Sequence, residues 1–395
     1  MQRSDNKKLQ SVKIARVSTV SFFVETQLRS QIAAIAQAGA EVTVIASETH
    51  LDSEMADVRY VSIGIPRKIE PLKDIFSLVR LWLFFRRSSF DIVHSTTPKA
   101  GLLCAVAARI AGVPVRLHTF TGQAWVGMTG VKRFLSKGSD RLIALLNTHC
   151  YADSQSQKEF IVESRVTHPD HISVLGAGSL AGIDLKRFNP ERFSDADKLN
   201  LRTELNIPEN TPILLFVGRL TRDKGIVELL EAFKELSGGG QHAYLVLLGP
   251  HETDIDLLLH RLPPVLRERI VLPGFSTEPE RYMAAADLLL LPSYREGFGT
   301  VVIEAAAMGL PAVCSDIYGL SDAVVDGETG LLVTVRDVKS LTRAISSLLL
   351  DTEQRLKMGR CARTRVEREF SSDRVSKLVI DEYIQLLPLY KGTLS

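Results

Sequence analysis

Residues 288–313 read LLLLPSYREGFGTVVIEAAAMGLPAV, and their reading decides the fold. Leu288, Leu289, Leu290 and Leu291 form an apolar run of the length of a buried strand. Pro292 and Ser293 end it. Gly297 and Gly299 make a tight turn, Thr300 can cap a helix, and Val301, Val302, Ala305 and Ala306 give that helix an apolar face. A strand, a glycine turn and a helix start line up free backbone N–H groups, which suits phosphate. Glu296 stands before the turn and Glu304 in the helix's first turns. Carboxylates do not attract phosphate, so they read as acceptors for hydroxyls, and the ligand as a sugar or ribose carrying phosphate. The same pattern also describes a glycine turn with acids near a helix's positive end.

Working outward, residues 213–217 form a second apolar strand, followed by Gly218-Arg219-Leu220-Thr221-Arg222-Asp223-Lys224-Gly225 and an amphipathic helix over 226–236. Arg219 offers a planar fork and Lys224 a point charge, a pairing suited to a diphosphate. By itself the loop could equally be a solvated basic turn.

Together the two stretches resemble the retaining glycosyltransferases of family 4, which have the GT-B fold. The resemblance rests on Gly218-Arg219-Leu220…Lys224-Gly225 and on Glu296…Glu304. Further marks are residues 94–101 (HSTTPKAG), Gly176-Ala177-Gly178-Ser179 with Gly182-Ile183-Asp184, and residues 291–297. It runs over most of the chain and is similar to a bacterial branch that builds polysaccharides on polyprenyl diphosphate lipids. It implies an α/β fold of two Rossmann-like, doubly wound parallel-sheet domains facing a cleft. Residues 1–190 would bind the acceptor, 191–372 the nucleotide sugar, and 373–395 would cross back to the first domain. The donor would be a UDP-sugar. Arg219, Lys224 and the amides of Gly297, Phe298, Gly299 and Thr300 would hold its diphosphate, Glu304 its ribose, and Phe275 would lie in the loop facing the base. Glu296 and His118 would meet the sugar, and no metal or other cofactor would be needed. His94, Lys99 and Phe23 are candidates for the acceptor side. Two departures stand out: Ser18-Thr19-Val20-Ser21-Phe22-Phe23 lacks the glycines usual there, and Asp322 replaces a glutamate.

Composition agrees with an enzyme of two ordinary domains. At 395 residues there is room for two cores, and a net charge of +2 makes no case for nucleic acid. Cys104, Cys150, Cys314 and Cys361 form no C-x-x-C pair, which fits a reducing cytoplasm. The amino-terminal segment is polar and charged through Lys8, unlike a signal peptide. No apolar run approaches the ~20 residues of a spanning helix.

Residues 12–18, 26–38 and 41–46 give a β-α-β opening and so a parallel sheet. His118 falls at the carboxyl end of the strand over 113–118, where such sheets bind ligands; it could instead bond to backbone. Over 67–87, Leu72, Ile75, Phe76, Val79, Leu83 and Phe84 fall at helical spacing, with Trp82 and Phe85 beside them. Arg67, Lys68, Lys73, Arg80, Arg86 and Arg87 supply charge. This helix packs its apolar side on the sheet or lies in the headgroup layer of an anionic membrane, and both can hold if it packs on one side and projects Trp82 and its arginines on the other. The chain would then sit peripherally at the inner face of the bacterial cytoplasmic membrane, with a polyprenyl-diphosphate-linked saccharide as acceptor. Two D-x-D patterns, Asp195-Ala196-Asp197 and Asp254-Ile255-Asp256, follow no apolar strand and are set aside as metal sites, as are His168 and His171. A nucleotide-sugar 2-epimerase of the same fold and a non-catalytic nucleotide-sugar-binding protein are the alternatives.

Overall fold

The computed structural model describes residues 9–48, 55, 57–66, 70–251 and 255–391. They form two compact units, Met1–Gly182 with Ser372–Ser395, and Ile183–Ser371. The first boundary falls before the expected residue 191. The reason is local: Ile183 N–H donates to the Phe370 carbonyl at 2.7 Å and bridges Ser371, which ties it to the second unit.

The first unit holds seven strands: β1 (Lys13–Val17), β2 (Glu41–Ala46), β3 (Val58–Ser62), β4 (Ile92–Ser95), β5 (Val115–Phe120), β6 (His149–Ala152) and β7 (Ile172–Val174). They lie in the order β3-β2-β1-β4-β5-β6-β7, every pair parallel. The strands read as continuous apolar runs because both faces are covered. Ile14, Val42, Val44, Ile92 and Leu117 face helices Arg29–Gln37 and Ser372–Lys391, which contribute Ile32, Ile35, Val379 and Tyr383. Ala15, Val17, Ile45 and Val93 face Leu81 and Phe85 of helix Pro71–Ser88 and Ala100, Leu103 and Ala107 of helix Pro98–Ala111.

The second unit holds β8 (Ile213–Val217), β9 (Tyr244–Leu248), β10 (Ile270–Gly274), β11 (Leu288–Leu291), β12 (Ala312–Ser315) and β13 (Gly330–Val333). Their order is β10-β9-β8-β11-β12-β13, again all parallel. In each unit the chain winds one way from the first strand and then the other, so each sheet has a switch point. These lie between β1 and β4 and between β8 and β11. Ligands of open α/β sheets bind beyond the carboxyl ends of the strands at such points.

Three local expectations are corrected. Gly299, not Thr300, is the N-cap of helix Thr300–Ala307, because only the residue at φ 76° can turn the chain there. Residues 18–23 are a loop only through Val20; a helix begins at Ser21. In helix Pro71–Ser88 the apolar stripe legible in the sequence is the wrong one for the core. Ser77, Leu81 and Phe85 are buried and Trp82 and Phe84 pack beside them, while Leu72, Ile75, Phe76, Val79 and Leu83 are exposed. Trp82 therefore does not project outward, and Arg67 and Lys68 lie outside the described residues. Asp195 and Asp197 open a helix, with Asp197 closing a capping box on Ser194; Asp254 is outside the described residues.

Candidate active site

In the second unit the loops after β8 and β11 are neighbours because their strands are, with Leu214 facing Leu288. They interlock. A Cβ on Gly225 (φ 72°) would run into the Pro292 carbonyl, so only glycine admits the approach. Tyr294 N–H donates to the Asp223 carbonyl at 2.9 Å, and Arg295 Nη2 reaches Asp223 Oδ2 at 3.1 Å. The Tyr294 hydroxyl donates to Glu228 at 2.7 Å, and Arg336 lies over the Tyr294 ring at 4.2 Å.

At the centre of this junction Lys224 Nζ meets Glu296 Oε1 at 2.5 Å, and the buried Ser293 hydroxyl donates to the same oxygen at 2.8 Å. Arg219 is exposed on the first of the two loops. Burial pushes the Asp223 carboxyl up, yet the Thr221 hydroxyl, Arg295, Arg219 and Lys224 together hold it below its ordinary range. Asp223 thus stays an anion that positions cations. No side chain caps helix Thr300–Ala307, whose first amides follow Gly299. The arrangement presents a lysine, an arginine and an uncapped helix start on two interlocked loops, groups whose chemistry suits a phosphorylated anion.

Glu304 lies one turn into that helix. Burial pushes its carboxyl up to about 7, with Arg187 opposing and Glu280 adding to the rise. Arg187 is itself gripped by the buried Glu280 through two bonds, 3.0 and 2.8 Å, and by the Thr277 carbonyl. The sequence reading missed Arg187 and Glu280, because the pair joins positions 93 apart that no local pattern links.

Other expected residues fall elsewhere. The Phe298 side chain is in the interior against Phe370, centroids 5.3 Å apart, which leaves only its backbone for a ligand. Phe275 follows β10 and is exposed. His94 is buried in a network that occupies both ring nitrogens. Arg16 donates to Nδ1 at 2.7 Å, Tyr383 Oη lies 2.6 Å from the same nitrogen, and Thr119 Oγ1 lies 2.8 Å from Nε2. Burial first, then Arg16 and His118, lower its pKa, so it is a neutral group in the interior of the first unit. Lys99 is paired with Asp74 at 2.7 Å and joins two helices, and Phe23 packs on the core; neither stands free for an acceptor.

His118 is 1 % exposed. Its Nδ1 lies 2.9 Å from Ser95 Oγ, its ring meets Phe120 edge-on, and a Cβ on Gly101 would collide with it. Desolvation lowers its pKa to about 3. This enclosed position differs from the open strand end that the motif suggests, because helix Pro98–Ala111 comes down on the ring at Gly101.

At the first unit's own switch point stand hydroxyls. Thr19 and Thr97 Oγ1 atoms are 2.8 Å apart, Thr19 N–H donates to Thr97 Oγ1 at 3.2 Å, and Ser18 is fully buried beside them. Thr97 holds φ 57°, ψ 136°, a conformation rare outside glycine. Strand order alone points to these residues, and strand order was the missing information. Among the described residues no three His, Cys, Asp or Glu side chains stand grouped as metal ligands.

Residues 24–178 match the family model described as "Glycosyl transferase 4-like domain", and residues 197–365 the one described as "Glycosyl transferases group 1". The capsular polysaccharide biosynthesis glycosyltransferase CapM of Staphylococcus aureus is 32 % identical over 92 % of this chain and 94 % of its own length. The UDP-Gal:alpha-D-GlcNAc-diphosphoundecaprenol alpha-1,3-galactosyltransferase of Escherichia coli is 28 % identical over 80 % of this chain and 81 % of its own. Among solved structures, Alr3699/HepE of Anabaena in complex with UDP and glucose superposes with a TM-score of 0.76 at 18 % identity, over 94 % of this chain and 99 % of that one.

Proposed function

Because the chain belongs to the group 1 glycosyl transferases, we propose that it moves a hexose or N-acetylhexosamine from a UDP-sugar to a lipid-linked saccharide, with retention at the anomeric carbon. The observation that carries this reading is the interlocked junction of the β8 and β11 loops, with Lys224 on Glu296 at the switch point. The relatives named above support the substrates: one acts with UDP-Gal on a diphosphoundecaprenol saccharide, and one structure holds UDP and glucose.

On this reading the diphosphate enters beside Arg219, Lys224 and the amides from Gly297 to Thr300. It competes for Lys224 and draws the ammonium from Glu296. Glu296, still held by Ser293, is then available to accept hydrogen bonds from the donor sugar's hydroxyls. Breaking the anomeric bond adds negative charge to the leaving diphosphate. Fixed cations and helix amides stabilise it without reorganising, so the step calls on no metal. Glu304 accepts from the ribose hydroxyls when ionised. In the first unit, Thr19 and Thr97 offer hydroxyls for a neutral saccharide.

No helix among the described residues is long and apolar enough to cross a membrane. The acceptor's lipid brings the enzyme to the inner face of the cytoplasmic membrane by peripheral contact with anionic headgroups. The test is a screen of UDP- and GDP-sugars for slow donor hydrolysis and for transfer to a polyprenyl-diphosphate saccharide. UDP-sugar turnover with product of retained configuration is expected. Conversion of the donor to its C2 epimer without transfer would make the chain an epimerase instead.

A further inference from the structure

Two helices of the first unit share a construction that core packing does not require. In helix Gly130–Leu146, Val131, Phe134, Leu135, Leu142 and Leu145 are exposed, Phe134 to 72 %. At about 100° per residue they fall on one stripe, opposite the buried Asp140, Ile143 and Ala144. Gly138 lies in the same stripe with open space above it. In helix Pro71–Ser88 the exposed Leu72, Ile75, Phe76, Val79 and Leu83 form a matching stripe opposite Ser77, Leu81 and Phe85. Each helix is therefore apolar on two sides, one facing the sheet and one facing solvent.

The two stripes belong to one layer. The connections β3 to β4, β4 to β5 and β5 to β6 advance in the same direction across the sheet. Right-handed crossovers then put their helices on one face. Helix Pro98–Ala111 packs between the other two, with Ile110 exposed on it. Leu72 and Phe76 of one stripe and Val131, Phe134 and Leu135 of the other sit near helix amino termini, beside the carboxyl ends of the strands, while Leu145, exposed to 79 %, extends the second stripe to the far end of its helix.

Charge decides what covers this layer. Helix Gly130–Leu146 carries Lys132, Arg133, Lys137 and Arg141; Lys132 and Arg141 border the exposed stripe, while Arg133 and Lys137 lie over the buried Trp125 ring at 5.5 and 5.1 Å. Its one carboxylate, Asp140, is buried and accepts from Trp125 Nε1 at 2.7 Å. On the other helix Arg80 lies over the Phe76 ring at 5.2 Å, with Arg86 and Arg87 in the last turn. Apolar stripes flanked by cations match an anionic lipid surface, where side chains enter the acyl boundary and cations meet headgroups. A second copy of the chain would bring the same cations against each other.

We propose that the layer of helices Pro71–Ser88 and Gly130–Leu146 is the lipid-binding face of this protein, with Phe134 and Leu135 inserted and Lys132 and Arg141 on anionic headgroups. The proposal deepens the membrane contact proposed above by naming its surface. It places the carboxyl rim of the first sheet, with Thr19 and Thr97, next to the membrane from which a lipid-linked acceptor projects.

The test is co-sedimentation of the full chain with vesicles of phosphatidylcholine, with and without phosphatidylglycerol. Compared are wild type, the Phe134→Ser/Leu135→Ser pair and the Lys132→Glu/Arg141→Glu pair, with melting temperature and transfer to a water-soluble acceptor analogue measured alongside. Wild type should bind the phosphatidylglycerol vesicles only. Each charge lost should weaken binding roughly fivefold, and the serine pair should release the protein, with folding and soluble-acceptor transfer unchanged. That last assay reads the catalytic proposal separately. Wild type that ignores phosphatidylglycerol, or variants that bind as wild type does, would overturn the assignment. So would a wild-type dimer that the serine pair turns into monomers, which would make the covering surface a second copy.

Discussion

The two sheets are wound alike, yet their switch points carry different chemistry. Between β8 and β11 stand Lys224, Arg219, Glu296 and an uncapped helix start, cross-linked by Asp223, Arg295 and Tyr294. Between β1 and β4 stand Ser18, Thr19 and Thr97, joined by short hydroxyl contacts. Fixed charge held by many bonds fits a ligand of fixed charge whose charge grows during reaction. Neutral hydroxyls fit a polyhydroxylated ligand recognised by shape and hydrogen bonding. On the proposed function one topology serves two ligands, and loop composition decides which.

The largest expected effect falls on the charged side. Lys224→Ala removes a fixed cation from the leaving group and should raise the barrier by roughly 2.7–4 kcal/mol, read as a fall in kcat for UDP-sugar turnover. Near-normal kcat would erase the contrast between the two switch points. Next comes Glu304. Its carboxyl, raised to about 7, is protonated below that pH and ionised above it. The carboxylate is the better acceptor for ribose hydroxyls, so donor KM should fall as pH rises through 7. Glu304→Gln should flatten that profile while raising KM about tenfold, the loss of a charge-assisted bond. A profile unchanged in the variant would assign the pH dependence to another group.

On the neutral side, Thr97→Gly relieves a backbone held at φ 57°. Chemical denaturation should show a gain of roughly 1 kcal/mol, while acceptor KM rises several-fold as the hydroxyl is lost. A loss of stability would mean that the Thr19 bonds outweigh the strain. The smallest effect is expected at Phe76, exposed to 63 %. Phe76→Ser should change thermal stability by no more than about 0.5 kcal/mol, whereas Leu81→Ala, one turn further on the buried side, should cost about 2–5 kcal/mol. Comparable losses at the two positions would deny the helix its second, unpartnered face.

Much of the charged junction between β8 and β11 was legible in the sequence. Lys224, Arg219, Glu296 and Glu304 sit in contiguous strand–turn–helix stretches, where local pattern and location coincide. Parallel strands buried on both faces also announce themselves as apolar runs. What local pattern does not show is packing across the sheet. His94 and His118 look like strand-end ligands in one dimension, but Arg16, Tyr383 and Gly101 enclose them from distant parts of the chain. Periodicity in residues 71–88 showed an apolar stripe correctly but could not say which of two stripes faces inward. The deciding residues, Leu81 and Phe85, are flanked by the same kinds of neighbours as Phe76. Phe298 divides its roles: its backbone belongs to the turn, as the motif reading has it, while its ring belongs to the core.

The return of helix Ser372–Lys391 to the first sheet has a consequence for biosynthesis. Val379, Tyr383 and Leu386 fill one face of that sheet, and the Tyr383 hydroxyl meets the buried Arg16 at 2.6 Å. During translation the amino-terminal unit therefore waits, with part of one side bare and an arginine unpartnered by its tyrosine, until residues 372–391 emerge. The inserted unit can finish first. Ribosome-bound chains halted after residue 371 should show a protease-resistant second unit beside a readily cut first one, and equal resistance of both would refute that order of assembly.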